Sequence, residues 1–228
     1  MWFDDLPEGG SWASLWHGYI LCGDCSGIRK VAEDCPACKS PALLPKRHLI
    51  RLEGGTEVEV ADAFMGAEAR YEDWVYLMML EREWKRPLVD ADRYPGIAES
   101  NRPAPRAAIV LVFWSYFETR IDRLFREGMR DVGAAIREDL LRRYASVGAR
   151  LDRLYRIVFG ATYWSDLSDL GFERVATLLQ YIQQRRNEFA HGQPATIDEE
   201  IINDLVEALK DEHEAWIAVF NKRATHPR

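Results

Sequence analysis

A chain of 228 residues, 47% of them hydrophobic, can bury one sizeable core or two small ones. Its net charge of −7, from 30 basic and 37 acidic side chains, argues against a protein that coats nucleic acid without specificity, because such binding rests on neutralising phosphates. No apolar run reaches the roughly 18 residues that span a bilayer, and Met1-Trp2-Phe3-Asp4-Asp5 lacks the basic start and apolar core of a secretory signal. The expectation is a cytoplasmic protein with no membrane partner.

Composition changes along the chain. All four cysteines, seven of the fifteen glycines and most strand-like sequence precede about Val60, and the remainder is rich in Ala, Leu, Arg and Glu at helical spacing. The predicted fold is mainly α: a small β module over 1–60, a connecting helix and Pro-rich linker over 61–101, and an antiparallel helical bundle over 102–228.

In the first module, Trp16 to Leu21 reads as a strand entering Cys22-x2-Cys25-x9-Cys35-x2-Cys38. His48 to Leu52 leaves it, and Gly54-Gly55 turns the chain into the alternating run Thr56 to Val60. Each CxxC can place two thiolates on one metal. Two disulfides are the alternative, but a reducing cytosol disfavours them. Four thiolates fill a tetrahedral shell and leave no position for water, so one structural zinc is expected, with iron as the minor alternative and no catalysis at the metal. Cys35-Pro36-Ala37-Cys38 resembles the second knuckle of a zinc ribbon, a module that holds nucleic acid or protein partners. His17 reads as a strand residue rather than a substitute ligand.

A helix is predicted from Ala61 to Lys85 with Phe64, Ala67, Tyr71, Trp74, Val75, Met78, Met79 and Trp84 on its apolar face. Pro87, Pro95, Pro103 and Pro105 then mark a linker. Four further helices are predicted: Ala107 to Met129, apolar almost all round at first; Val132 to Val158, broken near Gly148; Gly171 to Ala190; and Asp198 to Ala224, with an acidic start. Between Arg120 and Arg156 ten arginines face six acids. They read either as a surface laced with intrahelical pairs or as forked contacts to an anionic partner.

The helix from Gly171 to Ala190 carries Val175, Leu178, Leu179, Ile182 and Phe189 on one stripe, with Arg186 inside it. A charge in an apolar stripe must be paired or line a cleft. His191 ends the helix, followed by Gly192 and Pro194. Positions five apart on a helix diverge by about 140°, so Arg186 and His191 share a site only if the last turn frays or if two copies of the helix meet in a dimer.

Arg186-Asn187-Glu188-Phe189-Ala190-His191 is similar to the signature of the HEPN superfamily: Arg, a polar residue that is often Asn, three variable positions and His. The likeness spans about Arg102 to Arg223 and includes an apolar helix bearing Ser115-Tyr116-Phe117-Glu118. It implies a metal-independent endoribonuclease with its site at a homodimer interface. His191 would be general acid or base, Arg186 would stabilise the phosphorane and Asn187 would orient the phosphate or the histidine. The RNA 2′-hydroxyl would attack, leaving a 2′,3′-cyclic phosphate and a 5′-hydroxyl. Glu118 is a weaker candidate, either positioning His191 or forming a salt bridge with Arg185 or Arg186. The resemblance also implies toxin–antitoxin or anti-phage settings and an antitoxin or defence-system partner. Gln193 stands where one toxin subgroup carries a modified Tyr, which counts against that mode of control. A non-catalytic RNA- or protein-binding scaffold with a zinc-ribbon docking module is the competing expectation. A DNA-binding regulator ranks below it because the ribbon half is acidic.

Overall fold

The computed structural model describes residues 11–42, 47–61, 71–89 and 96–225. The chain is mainly helical, with two small antiparallel hairpins at its start. In the first hairpin, β1 (Tyr19–Leu21) pairs with β2 (Ile28–Lys30) around the first knuckle, with Ile20 opposite Arg29. The second joins β3 (Arg47–Arg51) to β4 (Glu57–Ala61) with Leu49 opposite Glu59. Gly54 and Gly55 both take positive φ at its turn, as the sequence leads one to expect. The strand predicted from Trp16 is shorter, because Trp12–Trp16 form a 3-10 turn capped by the Ser11 hydroxyl.

Helix α1 is described over Tyr71–Lys85, and Ala61, where the predicted helix starts, belongs to β4. Phe64 and Ala67, placed on its apolar face, lie outside the described residues. Its inward stripe is also different. Leu77 and Leu80 are buried while Met78 and Met79 are exposed, because Asp73 occupies the buried stripe and pairs with Arg123 at 2.8 Å. Counting only apolar residues therefore rotates the predicted face away from the real one.

Helix α2 (Ala108–Gly128) is buried along most of its length, matching the apolar run in its sequence. The long helix predicted after it is split. Helix α3 (Ala134–Arg143) stops, and Ser146, in extended backbone with its hydroxyl accepting from the Ala149 N–H, starts α4 (Val147–Ala149). A π turn over Arg150–Leu154 then leads into α5 (Tyr155–Phe159). The break comes at a serine cap, and Gly148 lies inside the next helix. A short helix that the sequence reading passed over, α6 (Tyr163–Asp169), is held by a reciprocal Thr162–Ser165 capping box. Helix α7 (Glu173–Ala190) follows Gly171 at φ +84°, and α8 (Glu199–Arg223) starts on the Asp198 side-chain cap.

Helices α2, α6, α7 and α8 pack against one another, and α1 lies along α2. The N-terminal module joins this core. Trp12, Trp16 and Ile28 belong to the same apolar cluster as the helices, whereas Cys22, Cys25 and Cys35 form their own. Asn221 of α8 acts as a substitute strand edge: its Oδ1 accepts from the Ile28 N–H at 2.6 Å and its Nδ2 donates to the Ile28 carbonyl at 2.7 Å. The approach is close enough that a Cβ on Gly27 would meet Thr225 at 2.9 Å.

Three buried charge clusters tie the helices together. Arg120 Nη2 donates to both Glu212 oxygens at 2.7 and 2.6 Å, with the Tyr116 ring 3.9 Å from the guanidinium carbon. The second is the Arg123–Asp73 pair. In the third, Asp166 accepts from Arg223 Nη2 at 2.6 Å, from Lys222 at 2.8 Å and from the Tyr155 hydroxyl, joining α5, α6 and α8.

His213 stands beside Glu212, with Trp16 edge-on at 4.5 Å and Tyr19 at 5.5 Å. Burial, reinforced by Arg120, draws its pKa down to about 3 against the pull of the Leu15 backbone. The unfolded chain would protonate this residue below about pH 6.5, so the neutral imidazole contributes stability that is full above that pH. That stability is lost as the pH falls toward 3, by up to about 1.4 kcal/mol per unit. Urea midpoints measured from pH 7 to 4 are expected to fall more steeply in the native protein than in His213→Phe. Equal slopes would refute this assignment.

Candidate functional site

The motif residues sit at the end of α7, where the backbone is well fixed. Val175, Ala176, Leu179 and Ile182 anchor the helix in the core, and Leu178 and Phe189 pack at its margin. The helix closes with a Schellman arrangement: Gln193 N–H donates to the Glu188 carbonyl at 3.0 Å, Gly192 N–H to that of Phe189 at 3.1 Å, and Gly192 takes φ +90°. His191 is the C-cap, its own N–H on the Asn187 carbonyl at 3.0 Å.

A shallow groove of about 440 Å³ runs along this end of α7, lined by Gln180, Gln183, Gln184, Asn187, Glu188, His191 and Gln193. Asn187 and His191, four residues apart, thus share one wall. Arg186 is half-buried and does not line the groove, but its Nη1 donates to Asn187 Oδ1 at 3.2 Å. No hydrogen bond joins Arg186 to His191 within the chain, in keeping with their angular separation. The last turn does not fray to bring them together.

Glu118 is half-buried on α2 and lies outside the groove lining, with no hydrogen bond or ion pair among the described residues. Its suggested partner Arg185 is engaged elsewhere, on Glu188 at 3.3 Å and the Tyr181 hydroxyl at 2.8 Å. The arginines between 120 and 156 follow the reading of intrahelical surface pairs only in part, since Arg120 and Arg123 pair across helices in the core and Arg126 also reaches α3. Arg120 and Arg123 are buried in ion pairs, Arg126 bridges Asp122 and Glu138, Arg142 and Arg143 share Asp139, and Arg156 pairs with Asp152.

The four cysteines form a metal-binding cluster. Their Sγ atoms all lie within 4.8 Å of one another, with Cys22–Cys38 and Cys25–Cys35 each at 3.6 Å. A disulfide would need about 2.05 Å, whereas thiolates around a tetrahedral ion at about 2.3 Å stand roughly 3.8 Å apart. The two knuckles repeat one backbone design. Ser26 N–H returns to the Cys22 carbonyl and Lys39 N–H to that of Cys35, each at 2.9 Å, with Ser26 and Lys39 at φ of 61° and 62°. Without an ion, burial, reinforced by the neighbouring Cys38, Cys35 and Cys22 thiols, pushes the Cys25 thiol up to about 12, whereas a bound cation favours the thiolate. The geometry is suited to one ion held by four sulfurs.

The buried group Arg120, Glu212 and His213 was missed from the sequence. Arg120 lies inside the apolar face formed by Phe113, Tyr116, Phe117, Ile121 and Leu124, and Glu212 lies among Leu205, Leu209 and Trp216. The test that singled out Arg186 applies with more force to these residues, and it pairs them.

Among the described residues, no helix is long and apolar enough to cross a membrane. Comparison with known protein families, curated proteins and solved structures finds no significant match.

Proposed function

We propose that the chain is a metal-independent endoribonuclease of HEPN type, whose site at the end of α7 is completed by a second copy of the chain. The observation that carries this reading is the wall shared by Asn187 and His191 with the Arg186 guanidinium held on the Asn187 amide. Those three groups supply what cleavage by an internal nucleophile requires. The RNA 2′-oxygen forms a bond to phosphorus as the bond to the 5′-oxygen breaks, and the 2′ proton is taken up while another is delivered to the leaving oxygen. An imidazole suits both transfers near neutral pH. Arg186 offsets the charge gathering on the phosphorane oxygens, and Asn187 orients the phosphate. A dimer supplies the second histidine and brings the Arg186 of one copy toward the His191 of the other.

In this reading the four cysteines hold a structural zinc, and the ribbon docks a partner such as an antitoxin or another component of an anti-phage system. The expected result is cleavage of RNA in buffer containing a chelator, with termini carrying cyclic phosphate and 5′-hydroxyl. His191→Ala should slow it by about 10²-fold or more. Unchanged cleavage in that variant would reject the assignment.

The absence of an Arg186–His191 contact within one chain favours a second reading, a scaffold in which these residues serve only assembly. There, Arg186→Ala would weaken self-association measured by sedimentation, with no cleavage to lose.

A further inference from the structure

The α7 groove is built mainly of amides. Gln180, Gln183, Gln184, Asn187 and Gln193 contribute five, the first four on successive turns of α7, each about 5.4 Å, and Gln193 just beyond its end. No Lys or Arg lines it, and its single carboxylate, Glu188, is held by Arg185 at 3.3 Å and Gln184 at 2.8 Å. A groove for the phosphate backbone would be lined with cations. Neutral amides instead present a donor and an acceptor side by side, the pattern that complements the edge of a nucleobase and adenine above all.

The amides are also placed to act. The side chains of Gln180 and Gln193 carry no hydrogen bond among the described residues, Gln184 spends only its Nε2 on Glu188, and Asn187 only its Oδ1 on Arg186. Gln183 is packed across Gly148, where an added Cβ would lie 2.8 Å from its Nε2. We propose that the glutamines of this stripe, Gln180, Gln183, Gln184 and Gln193, read the base edges of single-stranded RNA, favouring adenine, while Asn187 stays on the phosphate, and so set which nucleotides are presented to His191. The inference rests on the ribonuclease reading of the same groove. Single strands are the substrate form it fits, because their unstacked bases can be splayed onto a protein surface.

The test titrates fluorescent oligomers of A, C and U against the His191→Ala protein at fixed salt, and again with Gln180→Ala and Gln193→Ala added. Both added positions are exposed, so the fold should tolerate them. Oligo(A) is expected to bind about tenfold tighter than the pyrimidine oligomers, and the added substitutions should bring the ratio toward one. Equal affinity for all three oligomers overturns the inference. So does a preference that survives the substitutions, or a change of oligomeric state with the preference intact, which would mark the stripe as a helix-pairing face. Cleavage by the native protein is scored separately. A preference without cleavage rejects the nuclease reading alone, cleavage without a preference rejects this inference alone, and no binding at all rejects both.

Discussion

Glu212→Ala is expected to cost about 3–5 kcal/mol of folding stability, read as a lower urea midpoint at pH 7. Arg120 is fully buried, and among the described residues Glu212 supplies its only carboxylate contact. Removing that carboxylate leaves a guanidinium in an apolar core, where water cannot replace the lost partner. The Tyr116 ring at 3.9 Å and the Trp216 ring at 5.5 Å offset part of the loss, since a cation over an aromatic face gains about 2 kcal/mol at best when desolvated. Arg120→Met should be damaging for the mirrored reason, with a smaller effect, because burial already pushes the Glu212 pKa up and the orphaned carboxyl can take a proton. The double variant Arg120→Met with Glu212→Leu is expected to recover most of the stability, as paired apolar replacements of buried ion pairs do. Additive losses across this cycle would mean the two residues act independently, contrary to their geometry.

The sequence discloses local design well and long-range partnership poorly. The four-cysteine spacing, the Gly54-Gly55 turn, the apolar run of α2 and the Gly192 stop after α7 are each set within a few residues of chain, and each is where the pattern places it. The errors arise where a distant partner changes the meaning of a residue. Asp73 reads as polar surface until Arg123, fifty residues on, makes it an inward residue, and the apolar face of α1 turns with it. The break predicted near Gly148 is, by contrast, local, for it comes at Ser146, whose hydroxyl takes the Ala149 N–H. The segment from Arg186 to His191 shows both behaviours. Its helix and stop are local, so they could be read. The relation of Arg186 to His191 is not local and is not made within one chain. The amide stripe was legible in principle, as Gln180, Gln184, Asn187 and His191 recur at helical spacing, but nothing in one helix shows that the face stays uncovered.

Loss of the metal is the other large expected effect. The protein is expected to carry one ion per chain by elemental analysis, and Cys35→Ala is expected to lose it, because Cys35 is fully buried at the centre of the cluster. Apparent binding free energies of about 10–16 kcal/mol accompany structural zinc in zinc-finger peptides, and around the knuckles themselves the chain offers only two three-residue strands and three buried sulfurs. The consequence should reach the helices. Trp12 and Trp16, each 1% exposed, are pinned to the core by the same module, with Trp16 donating to the Tyr116 hydroxyl at 3.2 Å. Cys35→Ala should therefore shift tryptophan emission to the red and lower the urea midpoint, while α2, α7 and α8 keep most of the far-ultraviolet helical signal. If the variant binds no metal yet matches the native protein in emission and midpoint, the four-cysteine module is an appendage and its docking on α8 contributes nothing. If the native protein itself carries no ion at near-stoichiometric level, the four-sulfur site is wrong. The intermediate result, a destabilised module on an intact bundle, is the expected one: an ion would organise the knuckles, and the Asn221–Ile28 bonds, the Trp12 N–H on Glu81 Oε2 at 3.0 Å and the Trp16–Tyr116 bond would carry that order into the helices.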